Sequence, residues 1–597
     1  MLSSYTSRHL ARNIADSLER SPEAPAVLGD HPLTNRQLDL LSRACVAALR
    51  ENGVGPGDIV ALDSALDSRF LAALVAVVRS GAAYVGLDFA DGAHAATVAG
   101  VVRPPAWVTH PGRPVPAGAA AVLLDDAVDP AGRARAGDPA ADATVPSDAF
   151  QAVFTSGSLG ARKAVLTTYQ GVTNRVRWFL DTYSPRPGSV VAVHKDVSLV
   201  GSPIEMLTGL LAGAPLLFID KHTVLDPEAF WSVMSEYRVT HLFGSPPVLQ
   251  LLLDGAAEPD AATTLEVVTS SAQSLSTSLA GRWTKKLPGT RLLNMYGLSE
   301  AASNVTCFDV TEAATAQDDG SVPVGRPIPG CDVRVLGADG QPVPDGATGE
   351  VHVGGVCLAR GYLDRPEETE DRFVSGPDGV RLFRTGDVGR WSEHGLEILG
   401  RTDTQIKIRG FKVLPEEVEA VLAGLPGVRL AAVAPVGDPL DAQDIVALVE
   451  GTGPLDVDAL ARLSSPRLPA HARPGRIVQV PAIPLTVSGK PDRARLAQLL
   501  DTDRPTAAQA AHGLSATEEL VRSVWLRILD KDTADRTDDF FQTLGGHSLK
   551  ATNAIAVLRR ETGVKVPLRL IFDHPVLADF AAALDAFTAA REAGVRA

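Results

Sequence analysis

Two short stretches carry residue types suited to chemistry. In FTSGSLGARKAV, residues 154–165, Thr155, Ser156, Gly157, Ser158 and Gly160 are small enough for backbone N–H groups and hydroxyls to converge on an anion, and Lys163 adds a point charge. That composition suits a phosphate. It is no Walker A loop, because Arg162 stands where that pattern requires glycine and Ala164 follows Lys163 where it requires Ser or Thr. The competing reading is a plain polar loop after a strand. In TLGGHSLK, residues 543–550, Ser548 lies where a loop enters a helical pattern. A phosphate esterified to its oxygen would face free N–H groups and the positive end of the helix dipole. The bland reading is a Gly-Gly loop with Ser548 as a helix cap.

The elements that position these loops follow from hydrophobic periodicity. Apolar, β-rich runs alternate with helical patterns: IVALD, FLAALVAVVRSG and AAYVGLD, then VVAVH and APLLFID. That alternation predicts βα units around a largely parallel sheet. From about 320 to 400 the texture changes to Gly- and Pro-punctuated short strands (DVRVLGADG, GEVHVGG, GLEILGRTD), which predicts a β-rich appendage with hairpins. IKIRGFKV, a helix from Pro415, VRLAAVAPV and DIVALVEG predict a small α+β unit ending near PLTVSGKPDR. Residues 501–514 have linker composition, and the capping box SATE opens a new helix at Ser515. The expected organisation is 1–399, 400–500, a linker over 501–514, and a last unit over 515–590.

At 597 residues the chain exceeds the roughly 250 to 300 at which single cores stop growing, so several domains are expected. With 45% hydrophobic and 21% charged residues it has the material for sizeable cores and does not read as disordered. A net charge of −15 argues against an extended electrostatic grip on nucleic acid or anionic lipid, so any polyanion bound here is small and locally held. Cys45, Cys307, Cys331 and Cys357 are too scattered for a disulfide framework or a Cys-x-x-Cys metal site, which suits a reducing compartment. Near the N-terminus, Leu10, Ile14 and Leu18 share a helical face but Asp16 and Glu19 interleave, the pattern of a surface helix and not of a transit peptide. The longest apolar run, FLAALVAVV at 70–78, is about half of what a membrane span requires. A cytoplasmic location is expected.

Further motifs accompany the two loops in collinear order: GAAYVGLD at 81–88, NMYGLSE at 294–300, GEVHVGGVCLARGY at 349–362, FRTGDVGRW at 383–391, GRTDTQIKIRGFKV at 400–413, PLTVSGKPDR at 484–493 and DDFFQTLGGHSL at 538–549. With FTSGSLGARKAV they span nearly the whole chain, which resembles the adenylate-forming superfamily, specifically a nonribosomal peptide synthetase adenylation domain fused to a peptidyl carrier domain. The resemblance implies a large α/β N-terminal domain with a β-rich appendage, a small α+β C-terminal subdomain and a four-helix-bundle carrier.

It also implies a task for each motif. Glu300 would ligate the Mg²⁺ on the triphosphate, a hard-cation, oxygen-ligand role; Tyr296 would stack on adenine and Asn294 bond its edge. The family usually has Pro-Thr before that glutamate, where Leu298 and Ser299 stand here. Asp387 resembles the acceptor of both ribose hydroxyls, with Arg390 beside it. Lys490 resembles the lysine bridging the acid's carboxylate and the nucleotide. Asp403 resembles the hinge about which the small subdomain swings between half-reactions, and Gly410 would let a pantetheine arm pass close to backbone. Ser548 resembles the 4′-phosphopantetheine attachment site, its two glycines letting a modifying enzyme approach.

Where the family usually carries F-D-x-S-x-x-E, whose aspartate pairs with an amino-acid ammonium, the ungapped frame places Leu199 to Glu205, so Val200 replaces the aspartate. A rival frame through Asp196 and Ser198 needs four extra residues before Glu205. Other positions resembling the specificity pocket are Gly201, Ile204, Gly244, Val268, Ser270, Met295, Ser303 and Asn304, none a carboxylate. Burying an ammonium without its partner costs about 3 to 5 kcal/mol. The expected substrate is a carboxylic acid lacking an α-ammonium, first a 2-keto or 2-hydroxy acid, then an aryl or branched acid. The same chemistry on an α- or β-amino acid is the alternative.

The implied first reaction is attack of that carboxylate on the α-phosphorus of MgATP, expelling pyrophosphate; thiol attack on the acyl carbon then displaces AMP. Both need positive charge and N–H dipoles placed where negative charge gathers. An acyl-CoA ligase is a rival that Ser548 argues against, and a non-catalytic module is one that Lys490, Glu300 and Asp387 argue against. Little sequence follows the carrier helices, so a loading unit working in trans is expected. Its partners would be a phosphopantetheinyl transferase, a downstream condensation or tailoring enzyme and an optional small activator protein, with no nucleic acid and no membrane.

Overall fold

The apolar run at 70–78 forms one buried helix, Ser68–Ser80, started by Asp67, whose side chain accepts from Arg69 N and Phe70 N, and stopped by Gly81 in the left-handed region at φ 67. It is apolar all round because it packs between layers, which a half-exposed helix could not be. Strands Ile59–Asp63 and Ala83–Leu87 on either side of it pair in parallel, as a βα unit requires.

The computed structural model describes residues 7–63, 67–89, 92–110, 113–116, 119–124, 148–155, 163–255, 264–310, 321–401, 406–408, 411–413, 415–436, 444–451, 453–469, 472–484, 496, 514–529, 531, 533–541, 544, 546, 548–564 and 566–595. They fall into two units that part after residue 403.

The first unit holds three sheets. One has six strands in the order Ala121–Leu123, Trp107–Thr109, Ile59–Asp63, Ala83–Leu87, Ala149–Thr155, Lys163–Thr168, parallel but for the last. A nine-stranded sheet runs Arg326–Pro327, Ser303–Asp309, Arg291–Leu298, Val267–Ser270, His241–Gly244, Val191–Val193, Leu216–Phe218, Pro25–Leu28, Leu33–Thr34, with a parallel centre and antiparallel edges. The third, antiparallel, comprises Cys331–Leu336, Gly349–Gly355, Phe373–Ser375, Arg381–Ser392 and Gly395–Arg401, and is the β-rich appendage. The N-terminal helix, Ser7–Arg20, buries Leu10, Ile14 and Leu18 in the main core.

In the second unit a hairpin, Ile406–Ile408 with Phe411–Val413, precedes helix Pro415–Ala423 and a three-stranded sheet of Val428–Val436, Asp444–Gly451 and Arg476–Gln479. Then come helices Ala516–Leu529, Ser548–Thr562, Arg569–Asp573 and Leu577–Val595. The SATE capping box forms: Ser515 Oγ accepts from Glu518 N at 3.1 Å and Ser515 N donates to Glu518 Oε2 at 2.7 Å. The DDFF aromatics build this core, with Trp525 wholly buried and its ring 4.9 Å from Phe540. Among the described residues no helix is long and apolar enough to cross a membrane.

Candidate active site

Strand Arg291–Leu298 presents Tyr296, and the twelve-residue strand Arg381–Ser392 presents Asp387. The Tyr296 hydroxyl donates to Asp387 Oδ2, and Arg401, paired opposite Asp387 on the neighbouring strand, donates to Oδ1 through Nη1 and to Thr385 O at 3.1 Å through Nη2. Asp387 N donates to Thr385 Oγ1 at 2.9 Å. Burial, and then the Asp387 charge, push the Tyr296 hydroxyl well above the ordinary tyrosine range, so it remains a donor. Arg390 is not beside Asp387. Three residues along a strand is the opposite face, and there Arg390, half-exposed, pairs with Glu397 at 2.8 Å. Asn294 is buried and its amide nitrogen donates to Val322 O and Pro323 O, both at 3.0 Å, so a bond to adenine falls to its carbonyl oxygen.

Glu300 sits on a single 3₁₀ turn, Ser299–Ala301, followed by two non-glycine residues in the left-handed region, Ala302 at φ 48 and Ser303 at φ 93. Such conformations cost about 1 to 3 kcal/mol each and are held here by close packing. Gly297 shows how close, since a Cβ on it would lie 1.8 Å from Ser303 O. The Tyr362 hydroxyl donates to Glu300 Oε1 at 3.0 Å, and its ring lies 5.1 Å below Lys163 Nζ. Lys163 also pairs with Glu368 at 2.5 Å. A buried carboxylate, a tyrosine and a lysine thus gather as a donor set that suits a triphosphate with a hard cation. Thr155 and Lys163 face each other across antiparallel strands. Ser156, Gly157, Ser158 and Gly160, between them, lie outside the described residues.

Of the pocket positions, Ile204 and Met295 share one core cluster, while Gly201, Ser303 and Asn304 converge. Ser303 Oγ lies 3.7 Å from where a Gly201 Cβ would stand and donates to Asn304 Oδ1 at 3.3 Å. Val268 does not join them. It pairs with Leu292, three residues before Met295 and so on the other face, and packs with Leu242 and Trp283. Gly244 and Ser270 are paired at adjacent strand ends, and the buried Ser270 Oγ has no hydrogen-bond partner among the described residues. Val200 is half-buried against the cluster containing Tyr296 and Leu298.

Cations border this region that sequence reasoning missed. Lys195 Nζ also lies 3.7 Å from the Gly201 Cβ position and pairs with Glu205 Oε1 at 3.1 Å; Glu205 Oε2 accepts from His194 N at 3.2 Å. Arg175, buried under Trp178 and Phe179, donates through Nη2 to Met295 Sδ at 3.4 Å and Asn304 Oδ1 at 3.5 Å. Burial pulls its pKa down to about 10. Asp196 is exposed, and its Oδ1 accepts from Ser198 N and Oγ at 2.9 and 2.7 Å.

Ser548 is the first residue of helix Ser548–Thr562. A helix N-terminus presents unsatisfied N–H groups, which fits a phosphodiester-linked arm. Gly546 also has a packing reason to be glycine: a Cβ there would lie 2.3 Å from the Phe540 ring. Lys490, Asp403 and Gly410 lie outside the described residues, as does the Ser548 side chain.

The cluster of Tyr296 with Asp387 and that of Glu300 with Tyr362 and Lys163, on an α/β framework with a helical domain whose helix opens at Ser548, fit an adenylate-forming ligase joined to a carrier domain. The comparisons agree: the AMP-binding enzyme profile matches residues 14–363, the AMP-binding enzyme C-terminal domain 417–490 and the phosphopantetheine attachment site 519–584. The chain belongs to the AMP-binding enzymes, and its cofactors are ATP with Mg²⁺ and 4′-phosphopantetheine. It is similar to phosphinothricin tripeptide synthetase PhsB of Streptomyces viridochromogenes, 34% identical over 95% of this chain and 48% of that protein. It is also similar to enterobactin synthase component F of Escherichia coli O157:H7, 32% identical over 96% of this chain and 45% of that protein. The chain thus spans about half the length of these curated relatives. A solved structure of holo-PA1221, described as an NRPS protein containing adenylation and PCP domains bound to a vinylsulfonamide inhibitor, shares the fold with a TM-score of 0.81 at 24% identity, covering 98% of each chain.

Proposed function

We propose that this chain activates a small carboxylic acid lacking an α-ammonium, a 2-keto or 2-hydroxy acid before an aryl or branched one, and loads it onto its own carrier domain. The observation that carries the substrate class is that, among the described residues at the pocket positions, no carboxylate stands without a cationic partner. Val200 stands where the aspartate is needed, and the nearby carboxylate, Glu205, is engaged by Lys195 and His194 N. The exposed, self-bonded Asp196 speaks for the ungapped frame.

In this reading Asp387 accepts the ribose hydroxyls, Tyr296 covers adenine, and Thr155 with the loop through Gly160 and Lys163 receives the phosphates. Glu300 would hold the Mg²⁺, which would supply charge neutralisation at the triphosphate. Lys490 lies between acid and nucleotide in the first half-reaction, and rotation at Asp403 withdraws it for the second. Ser548 would carry the phosphopantetheine arm, whose thiol would accept the acyl group as AMP leaves. The cleft then needs only to place the carboxylate in line with the α-phosphorus and exclude water. The names of the two synthetase relatives support a role in peptide natural-product assembly, with a phosphopantetheinyl transferase and a downstream condensation or tailoring enzyme as partners.

The test is ATP–pyrophosphate exchange across 2-keto, 2-hydroxy, aryl, branched and α- and β-amino acids, with intact-mass detection of acyl loading. Exchange confined to amino acids overturns the substrate class.

A further inference from the structure

Lys163 is held on two sides by protein groups. Its ammonium lies over the Tyr362 ring, and its side chain, 13% exposed, has lost most of its hydration. The Glu368 carboxylate compensates, with Oε2 at 2.5 Å from Lys163 and Oε1 accepting from Arg365 at 2.9 Å. Lys163 and Glu368 lie 205 positions apart in the chain, so the fold must bring them together. The short helix Pro366–Arg372 does so: Tyr362 N donates to Thr369 Oγ1 at 3.0 Å, and Thr369 Oγ1 donates to Arg365 O at 2.8 Å. One clasp therefore fixes ring, carboxylate and lysine together.

We propose that Glu368 is a positioning residue that stands in for a nucleotide phosphate, holding Lys163 over Tyr362 until the triphosphate takes the lysine from it. This rests on the reading of Lys163 as a phosphate-binding residue. The exchange is chemically clean because Glu368 has two cationic partners. When Lys163 turns to the phosphates, the carboxylate keeps Arg365 and is not left as an unpaired buried anion. Burial raises the Glu368 pKa, but the hydrogen bond and charge of Lys163, then those of Arg365, outweigh it and hold the carboxyl below the ordinary glutamate range, so Glu368 is ionised at neutral pH. Bound triphosphate must therefore compete with a carboxylate for the same ammonium. The helix carrying Glu368 has no buried residue, so changing it spares the core.

The test is steady-state kinetics of E368Q, E368L, K163A and the double variant E368Q/K163A, with thermal melting to confirm folding. An ion pair worth about 1 kcal/mol converts to a KM for ATP lowered about five-fold in E368Q and E368L, with kcat and the KM for the acid unchanged. K163A raises the KM for ATP, and adding E368Q to K163A then changes nothing further, which separates release of the lysine from a general loss of negative charge. An unchanged or raised KM in E368Q, or an E368Q effect that persists in the K163A background, overturns the inference while leaving the phosphate reading intact. A K163A variant with an unaltered KM for ATP overturns the phosphate reading itself.

Discussion

Tyr296 gives its hydroxyl hydrogen to Asp387, a buried side-chain bond from the nine-stranded sheet to the five-stranded one. Both residues are buried, and Asp387 takes its second bond from Arg401. The two side chains are thus held by one another, the kind of preorganisation that the proposed nucleotide site would need.

Removing the hydroxyl alone tests this. Y296F keeps the ring for adenine but deletes a hydrogen bond to an ionised acceptor, worth about 1.5 to 3 kcal/mol, so the KM for ATP rises roughly ten-fold with the acid KM unchanged. Y296A, lacking the ring too, is worse. An unchanged KM in Y296F means that Asp387 needs no such partner.

Arg401 and Arg390 should separate cleanly. R401M strands a buried carboxylate and costs about 3 to 5 kcal/mol of stability in urea denaturation, with loss of ATP binding. R390A, breaking an exposed pair with Glu397, changes stability by less than about 1 kcal/mol and leaves exchange near wild type. Equal effects from the two would show that Asp387 does not depend on Arg401.

Restoring a carboxylate probes the acid pocket. V200D provides an ammonium partner and gains exchange with an amino acid by about ten-fold or more while losing it with the native acid, unless Lys195 captures the new carboxylate. Combining V200D with K195M removes that competitor. No gain from either variant argues that the ungapped frame is misplaced.

The two half-reactions should come apart in single variants. K490A lowers pyrophosphate exchange by roughly 100-fold or more and still accepts the phosphopantetheine mass on Ser548. S548A does the reverse: exchange is intact, and neither the arm nor the acyl group appears in the intact mass. Acyl capture by S548A would sink the carrier assignment.

Much of this was legible because it is local. The alternating runs foretold the parallel sheets, SATE foretold its reciprocal cap, and NMYGLSE held both Tyr296 and Glu300. What escaped depends on register or on distant contact. Arg401 lies in a quoted motif, but only strand pairing sets it opposite Asp387, whereas proximity in sequence suggested Arg390. Glu368 meets Lys163 only in the folded chain. Val268 sits in the expected stretch, yet strand alternation points it into the other core cluster. Gly546 has a packing reason that the sequence did not show, since a Cβ there would meet Phe540.

The left-handed pair Ala302 and Ser303 has a consequence for anyone wishing to reprogram this enzyme. Only that taut bend separates Glu300 from Ser303 and Asn304, so in the proposed reading metal binding and acid choice would share one stiff stretch of backbone. Grafting a foreign selectivity code at 303 and 304 would loosen the bend and slow turnover even where the new acid binds, and a workable graft would transplant 297 to 304 as a block.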